Sequence, residues 1–252
     1  YSATTPVNPK VLEAFQTFNL EYFANANSTH ELGVFAKHQI AKTTKEIEEI
    51  LGCQDYEVIY TSGATEANNL ALKGYAYANQ RIGKHIITSP YEHSSVTAVL
   101  NHLAKNGFDI DVLELDKSGR VDLGQLESMI RNDTILVSIA LVNSELGILQ
   151  NLEGILDVLA THPHVKFHSD MTQAIGKLKV NLKGIDLVSF SGHKFYGLKG
   201  IGALLRKKSI NIEPIIHGGR STSLFRGGTP PAPLINSLGV ALKLAYQDFD
   251  KK

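Results

Sequence analysis

Seven short strand-like runs, each bounded by turn residues and separated by helical patterns, constrain this chain more than any other feature of its sequence. They are Glu57–Thr61, His85–Thr88, Asp109–Leu113, Ile135–Val142, Val165–Phe167, Leu187–Phe190 and Ile201–Leu205. Alternation of this kind specifies an α/β fold on a largely parallel sheet buried on both faces. The segments between the runs carry helix signals. Asp122 stands at an N-cap position with Gln125 three residues on, followed by Leu126, Met129 and Ile130 at helical spacing. Another pattern runs to Ile47, Ile50 and Leu51 and stops at Gly52, the residue suited to the left-handed turn that ends a helix. No internal repeat and no linker rich in Pro, Gly and Ser divides the chain, so one domain is expected. The longest irregular stretch is His217 to Pro233, and loops of that length are usually functional or disordered.

Charge and composition narrow the partners. Lys plus Arg number 25 and Asp plus Glu 25, with a net charge of +0, 43% hydrophobic residues and one Cys. Disorder, collagen and disulfide scaffolds are excluded on that ground. The longest basic cluster is Arg206-Lys207-Lys208, so neither nucleic acid nor a membrane surface is expected as a partner. The longest apolar run, Ile135–Val142, is broken by Ser138 and falls short of the roughly 18 residues of a membrane span. A lone Cys cannot form an internal disulfide, which favours a reducing, cytoplasmic compartment. The chain opens at Tyr1 without Met and closes on Lys251-Lys252 after an unterminated helical pattern, so it reads as part of a longer product.

Three segments carry candidate chemistry. The first, Thr61 to Asn69, lies between a strand and the helix holding Leu70, Leu72, Tyr75 and Ala76. Such a turn directs free backbone N–H groups and the positive helix end at one spot, where a phosphate can sit. Gly63 permits close approach, and the Thr65 hydroxyl either caps the helix or donates to an anion. In the second, Val165 to Gln173, a strand ends in Asp170 with the amide of Gln173 three residues later. Asp170 serves there either as a ligand contact or as a helix cap. The third, Leu187 to Gly197, delivers Ser191, His193 and Lys194 from a strand end. A lysine beside a cationic or desolvating neighbour has a lowered pKa, which suits Schiff-base chemistry, although a Gly-His-Lys tripeptide is otherwise an ordinary surface loop. A phosphate cradle, a carboxylate and a lysine at strand ends of one sheet are together what pyridoxal phosphate needs.

Seven motifs in order extend this reading over nearly the whole chain: Tyr-Ser-Ala-Thr-Thr-Pro at 1–6, Thr-Ser-Gly-Ala-Thr-Glu at 61–66, Glu-His at 92–93, Val-Asn-Ser-Glu-Leu-Gly at 142–147, Asp-Met-Thr-Gln-Ala at 170–174, Ser-Gly-His-Lys at 191–194 and Arg-Gly-Gly-Thr at 226–229. On these the chain resembles the cysteine desulfurases of the NifS/IscS type, class V aminotransferases of pyridoxal-phosphate fold type I. The resemblance implies a three-layer αβα large domain on a mainly parallel seven-stranded sheet. It implies Lys194 as the Schiff-base lysine, Asp170 as partner of the ring nitrogen and Gln173 as donor to the ring oxygen. His93 is implied to stack on the ring and move protons, and Asn143 to lie near the ring oxygen and substrate. Ala64, Thr65, Ser191 and His193 are placed around the phosphate, and Thr229 is implied to reach the phosphate of a neighbouring subunit in a homodimer. Of ten His residues, only His93 and His193 are assigned a function, and no metal site is expected.

The activity implied is conversion of L-cysteine to L-alanine, with sulfur passed as a persulfide to an acceptor for iron–sulfur cluster or thio-cofactor assembly. The sequence departs from the family in lacking the reactive Cys of its C-terminal third; Cys53 is an ordinary small residue at a helix end. The chain thus reads as the cofactor-binding large domain over residues 1–252 without the small C-terminal domain, able to bind cofactor but not expected to turn over by itself. Arg220 replaces a usual glycine, adding an anion donor, and Met171 replaces a usual alanine beneath the ring. Two alternatives stand beside the desulfurase: another enzyme of the same fold, a β-lyase or aminotransferase, and a non-enzymatic scaffold for sulfur-transfer proteins.

Overall fold

The computed structural model of the chain describes residues 1–219, 221–247 and 249. Helices α1 (Pro9–Glu21) and α2 (Glu31–Leu51) precede β1 (Tyr56–Thr61). The chain then runs through α3 (Ala64–Asn69), a π turn (Leu70–Gly74), α4 (Tyr75–Asn79), β2 (His85–Thr88), α5 (Ser94–Lys105), β3 (Asp109–Val112), α6 (Leu123–Met129) and β4 (Thr134–Ser138). It continues with α7 (Leu152–Ala160), β5 (Lys166–Asp170), β6 (Leu187–Ser191), a 3-10 turn (Gly192–Lys194), β7 (Gly202–Lys207) and α8 (Ala232–Tyr246). The seven strands form one sheet in the order β1-β7-β6-β5-β4-β2-β3. Only β7 runs antiparallel to its neighbours; every other pairing is parallel.

The strands are apolar on both faces, and their two-residue period divides the core. Val137, Val188, Ala203 and Leu205 pack with α1, α2 and α8. Leu136, Leu187 and Leu204 point the other way, against the π turn and α5. Helices therefore cover both faces of the sheet, the expected three layers. Gly52 ends α2 in the left-handed conformation at φ 63°. Asp122 caps α6 by accepting from Gln125 N at 2.9 Å, while the Gln125 side chain turns away to accept from Glu114 N. Only half of a capping box is formed.

The two strand boundaries that move furthest do so for one reason. Regular pairing in the 135–142 run stops at Ser138, and Val142 already bridges antiparallel to Leu149. The apolar pattern runs on because Ile139 and Leu141 stay in the core, at 1% and 3% exposure, beyond the end of the ladder. Conversely β5 reaches past Phe167 to Asp170, through polar residues that are fully buried. His168 lies between Ser138 Oγ at 2.9 Å and Ser189 Oγ at 3.0 Å, and Ser169 Oγ donates to Ile139 O at 2.8 Å. Hydropathy follows burial, and burial and hydrogen-bonded strand are different things here. The irregular segment ends earlier than Pro233, since α8 opens at Ala232 with proline in its first turn, a position where the missing N–H costs nothing. Arg220 lies outside the described residues. Among the described residues no helix is long and apolar enough to cross a membrane.

Candidate active site

Because β1, β2, β4, β5 and β6 run in one direction, their carboxyl ends open at one edge of the sheet, where ligands of such folds bind. A cavity of about 410 Å³ lies there. Its walls combine the β1–α3 turn, the segment after β2, the segment after β4, the ends of β5 and β6 and the N-terminal strap. The sheet has thus collected residues 3 to 200 into one pocket of ordinary ligand-binding size.

Of the ten expected site residues, eight line this cavity: Ala64, Thr65, His93, Asp170, Gln173, Ser191, His193 and Lys194. Asn143 does not, although its neighbours Val142 and Ser144 do. Its amide is spent on its own loop, donating to Tyr91 O at 3.3 Å and accepting from Glu145 N and Leu146 N at 3.0 and 2.7 Å. Thr229 is exposed on the 217–229 loop, away from this cavity. Met171 is fully buried in the core at the end of β5.

The turn after β1 follows from Gly63, whose φ of 154° suits a residue without a side chain. Gly202 on β7 lets this turn approach, since a Cβ there would stand 2.8 Å from Gly63 Cα. No side chain caps the start of α3, so its first amides are open toward the cavity. Asp170 is 7% exposed and held at both oxygens, each with a lone pair to spare: Oδ1 accepts from Thr172 N at 2.9 Å and Oδ2 from Asn68 Nδ2 at 2.8 Å. The second Asn68 proton goes to Ser95 Oγ at 2.9 Å, and that oxygen lies 2.9 Å from His93 Nδ1. Ser95 N also donates to His93 Nδ1, at 3.1 Å. With Nδ1 accepting, the neutral imidazole carries its proton on Nε2. A chain Asp170–Asn68–Ser95–His93 therefore joins carboxylate to imidazole behind the cavity wall.

Lys194 Nζ donates to Ser2 O at 2.7 Å and Ala3 O at 2.8 Å, and Gln173 Nε2 donates to the same Ser2 carbonyl at 2.8 Å. The strap is fastened further by His193, whose Nδ1 meets Thr4 Oγ1 at 3.1 Å and whose carbonyl accepts from Thr5. Burial lowers the Lys194 pKa below the ordinary lysine range, against the opposing pull of Asp170. Lys177, hydrogen-bonded to Gln173, is lowered by burial and then by Lys194. His193 is lowered by burial and by Lys194, Lys199 and Lys177. Lys194 and Lys199 on the cavity wall, with Lys177 behind Gln173, give the opening a positive field suited to a dianion.

Sequence reasoning missed Asn68, Ser95 and Glu92. Asn68 was recognisable as an amide within the apolar face of a helix, next to buried Ala67 and Leu70. Glu92, beside His93 in the Glu-His pair, is half-buried as a residue, with its Oε2 turned fully inside. Its Oε1 accepts from Ser89 Oγ at 2.6 Å and Ala140 N at 2.7 Å, tying the end of β2 to the segment after β4, while Oε2 has no partner. Burial pushes this carboxyl up to about 8, against the two hydrogen bonds and with help from Asp170. The folded chain then keeps a proton that the unfolded chain, near 4.5, gives up. Stability accordingly falls as pH rises from about 4.5 through about 8, by at most about 1.4 kcal/mol per pH unit. Glu92→Gln should remove that slope, so its melting temperature gains on the wild type as thermal scans move from the low to the high end of this window. Parallel curves would refute the assignment.

Cys53 is fully buried, with burial first and then Glu48 and Asp55 pushing its thiol up to about 12. It is inert as a nucleophile.

Comparison with known proteins now adds to this geometry. The family model for class-V aminotransferases matches residues 1–252. This chain is a class-V aminotransferase family member. It is 42% identical over 252 residues to the cysteine desulfurase IscS of Methanosarcina thermophila, matching 99% of the chain and 62% of that relative. With the IscS of Dictyoglomus turgidum it shares 41% identity, over 100% of the chain and 64% of the relative. Among solved structures, a NifS-like protein superposes with a TM-score of 0.96 at 35% identity, over 99% of the chain and 69% of its own. A second, SspA in complex with cysteine, gives 0.91 at 40% identity, over 96% and 71%. The class-V chain thus spans somewhat under two thirds of the length of these curated relatives. Enzymes of this family depend on pyridoxal phosphate. The residues present fit that group: a buried carboxylate, an amine of lowered pKa, open amides at a glycine turn, and on Thr172 of the cavity wall a buried hydroxyl without a protein partner.

Proposed function

We propose that residues 1–252 are the cofactor-binding large domain of a pyridoxal-phosphate-dependent cysteine desulfurase, which converts L-cysteine to L-alanine and passes the sulfur to an acceptor. The reading is carried by one observation, the convergence of Lys194, Asp170 and His93 on a single cavity at the carboxyl edge of the sheet. The likeness to desulfurases and to a protein solved with cysteine supports the choice of substrate. Bound cofactor supplies an electron sink for the pair released when a bond at the substrate α-carbon breaks.

The protein residues do the rest. Lys194 is the amine that would hold the cofactor and would take or return a proton, tasks that its lowered pKa favours. Asp170 would hold a proton on the ring nitrogen, and Asn68 and Thr172 N keep its carboxylate in place. His93 stands on the cavity wall with Nε2 free to move a proton. Ala64, Thr65, Ser191 and His193 would receive the phosphate, Gln173 the ring oxygen, and Asn143, between Val142 and Ser144 of the cavity wall, would serve the ring oxygen and substrate. Thr229, exposed here, would serve a second copy in a homodimer. Since Cys53 is buried and inert, the sulfur-accepting thiol belongs to sequence outside these residues or to a partner protein. A cytoplasmic setting and a role in iron–sulfur cluster assembly complete the proposal.

Borohydride reduction of the protein after addition of pyridoxal phosphate, followed by peptide mapping, should fix a pyridoxyl group on Lys194. Product analysis with L-cysteine, run on the whole protein or with the acceptor thiol supplied by a partner, should return alanine and persulfide. Pyruvate and ammonia instead would identify a β-lyase, and a protein that takes up no cofactor while still binding sulfur-transfer proteins would identify a scaffold.

A further inference from the structure

Two motifs meet in space through side chains that the chemistry above leaves unused. Glu66 lies in the first turn of α3, directly after Ser62, Gly63, Ala64 and Thr65, all of which line the cavity. Arg226 opens the Arg-Gly-Gly-Thr motif, 160 residues away. Arg226 Nε donates to Glu66 Oε1 at 2.9 Å, and Ser62 N donates to Glu66 Oε2 at 2.7 Å. The two side chains are 25% and 10% exposed. A single carboxylate therefore closes the strand-to-helix turn and anchors the loop of residues 217–229.

We infer that Arg226 is a positioning and charge-balancing residue for the cofactor phosphate: it neutralises Glu66 and holds the 61–66 turn in its receiving shape. The inference rests on the cofactor reading above. A carboxylate beside a phosphate cradle repels a dianion, and the repulsion is stronger in a half-buried setting than in water. Burial alone would raise the Glu66 carboxyl, but the Arg226 and Ser62 hydrogen bonds hold it below its usual range, so it is ionised wherever the phosphate is. Without Arg226 that charge keeps only the Ser62 N–H and has no counter-charge. The loop would not simply come loose, because a separate strap holds its earlier part. Ser223 Oγ donates to Glu57 Oε1 at 2.6 Å, Arg206 pairs with the same Glu57, and the Arg206 guanidinium stacks on Phe225 at 4.3 Å.

Equilibrium binding of pyridoxal phosphate and of pyridoxal, which lacks the phosphate, separates a phosphate role from general support of the fold. Arg226→Gln should weaken pyridoxal phosphate about tenfold or more and pyridoxal less than about twofold. Adding Glu66→Gln should recover part of the loss, since the uncompensated carboxylate is gone. Arg226→Lys, which keeps the charge and loses the directed Nε donor, should fall between, and it reads the same ratio if the Gln variant does not fold. Equal weakening of both ligands, or no weakening of either, overturns the inference. A wild-type protein that binds neither ligand overturns the cofactor reading and takes this inference with it.

Discussion

Lys194→Ala should abolish borohydride-stable attachment of pyridoxal phosphate and, in the whole protein, reduce turnover by roughly 10³-fold or more, because Lys194 is the cavity-lining lysine whose pKa is lowered. Of the three other basic groups near the opening, two are held otherwise. Lys177 is engaged with Gln173, His193 with Thr4, and Lys199 stands exposed at the rim beside Gly200. Fold stability should change little, since the amine contacts only the carbonyls of Ser2 and Ala3 and surface substitutions of this kind stay within about 0.5–1 kcal/mol. Reduction followed by mass mapping gives the answer directly. A pyridoxyl group found on another lysine, or activity within tenfold of wild type, would remove Lys194 from its role.

Asp170→Asn comes second in size and separates charge from shape. The amide can still accept from Thr172 N, but its NH₂ then faces the Asn68 Nδ2 donor that now reaches Asp170 Oδ2. One buried donor loses its acceptor, at a cost of about 1–3 kcal/mol in stability. The larger consequence is for chemistry, since a neutral side chain no longer favours a protonated ring nitrogen. Turnover should fall roughly 10²–10³-fold, while cofactor affinity falls less than tenfold. A variant that loses cofactor and activity in parallel would make Asp170 a binding residue instead. The same carboxylate touches the Asn68–Ser95–His93 chain, so the pH profile of the residual activity should also shift.

Much of this was readable in the residues. The strand-like runs gave a largely parallel sheet covered on both faces, because a strand buried on both faces leaves a continuous apolar signature. The three strand-end segments gave the lysine, the carboxylate and the glycine turn, because ligands in such sheets meet strand ends. The boundaries that failed, at 135–142 and at His168–Asp170, failed where burial and hydrogen bonding part company. Polar residues such as His168 and Ser169 sit wholly inside when each finds a partner on a neighbouring strand, and no local pattern announces that.

What tertiary structure alone decided are the pairings between distant residues. Arg226 finds Glu66, Asn68 finds Asp170 across 102 positions, and Glu92 ties the end of β2 to Ala140. Side chains of this kind look like solvated charges or helix interior in one dimension. Their partners are fixed by strand order and by the single antiparallel strand β7, which brings the Gly63 turn beside Ser191. The sequence by itself determined which chemistry the chain can hold, since residue type at a strand end is a local property. Which groups orient and neutralise that chemistry depends on contacts that exist only once the sheet has closed between its two helical layers.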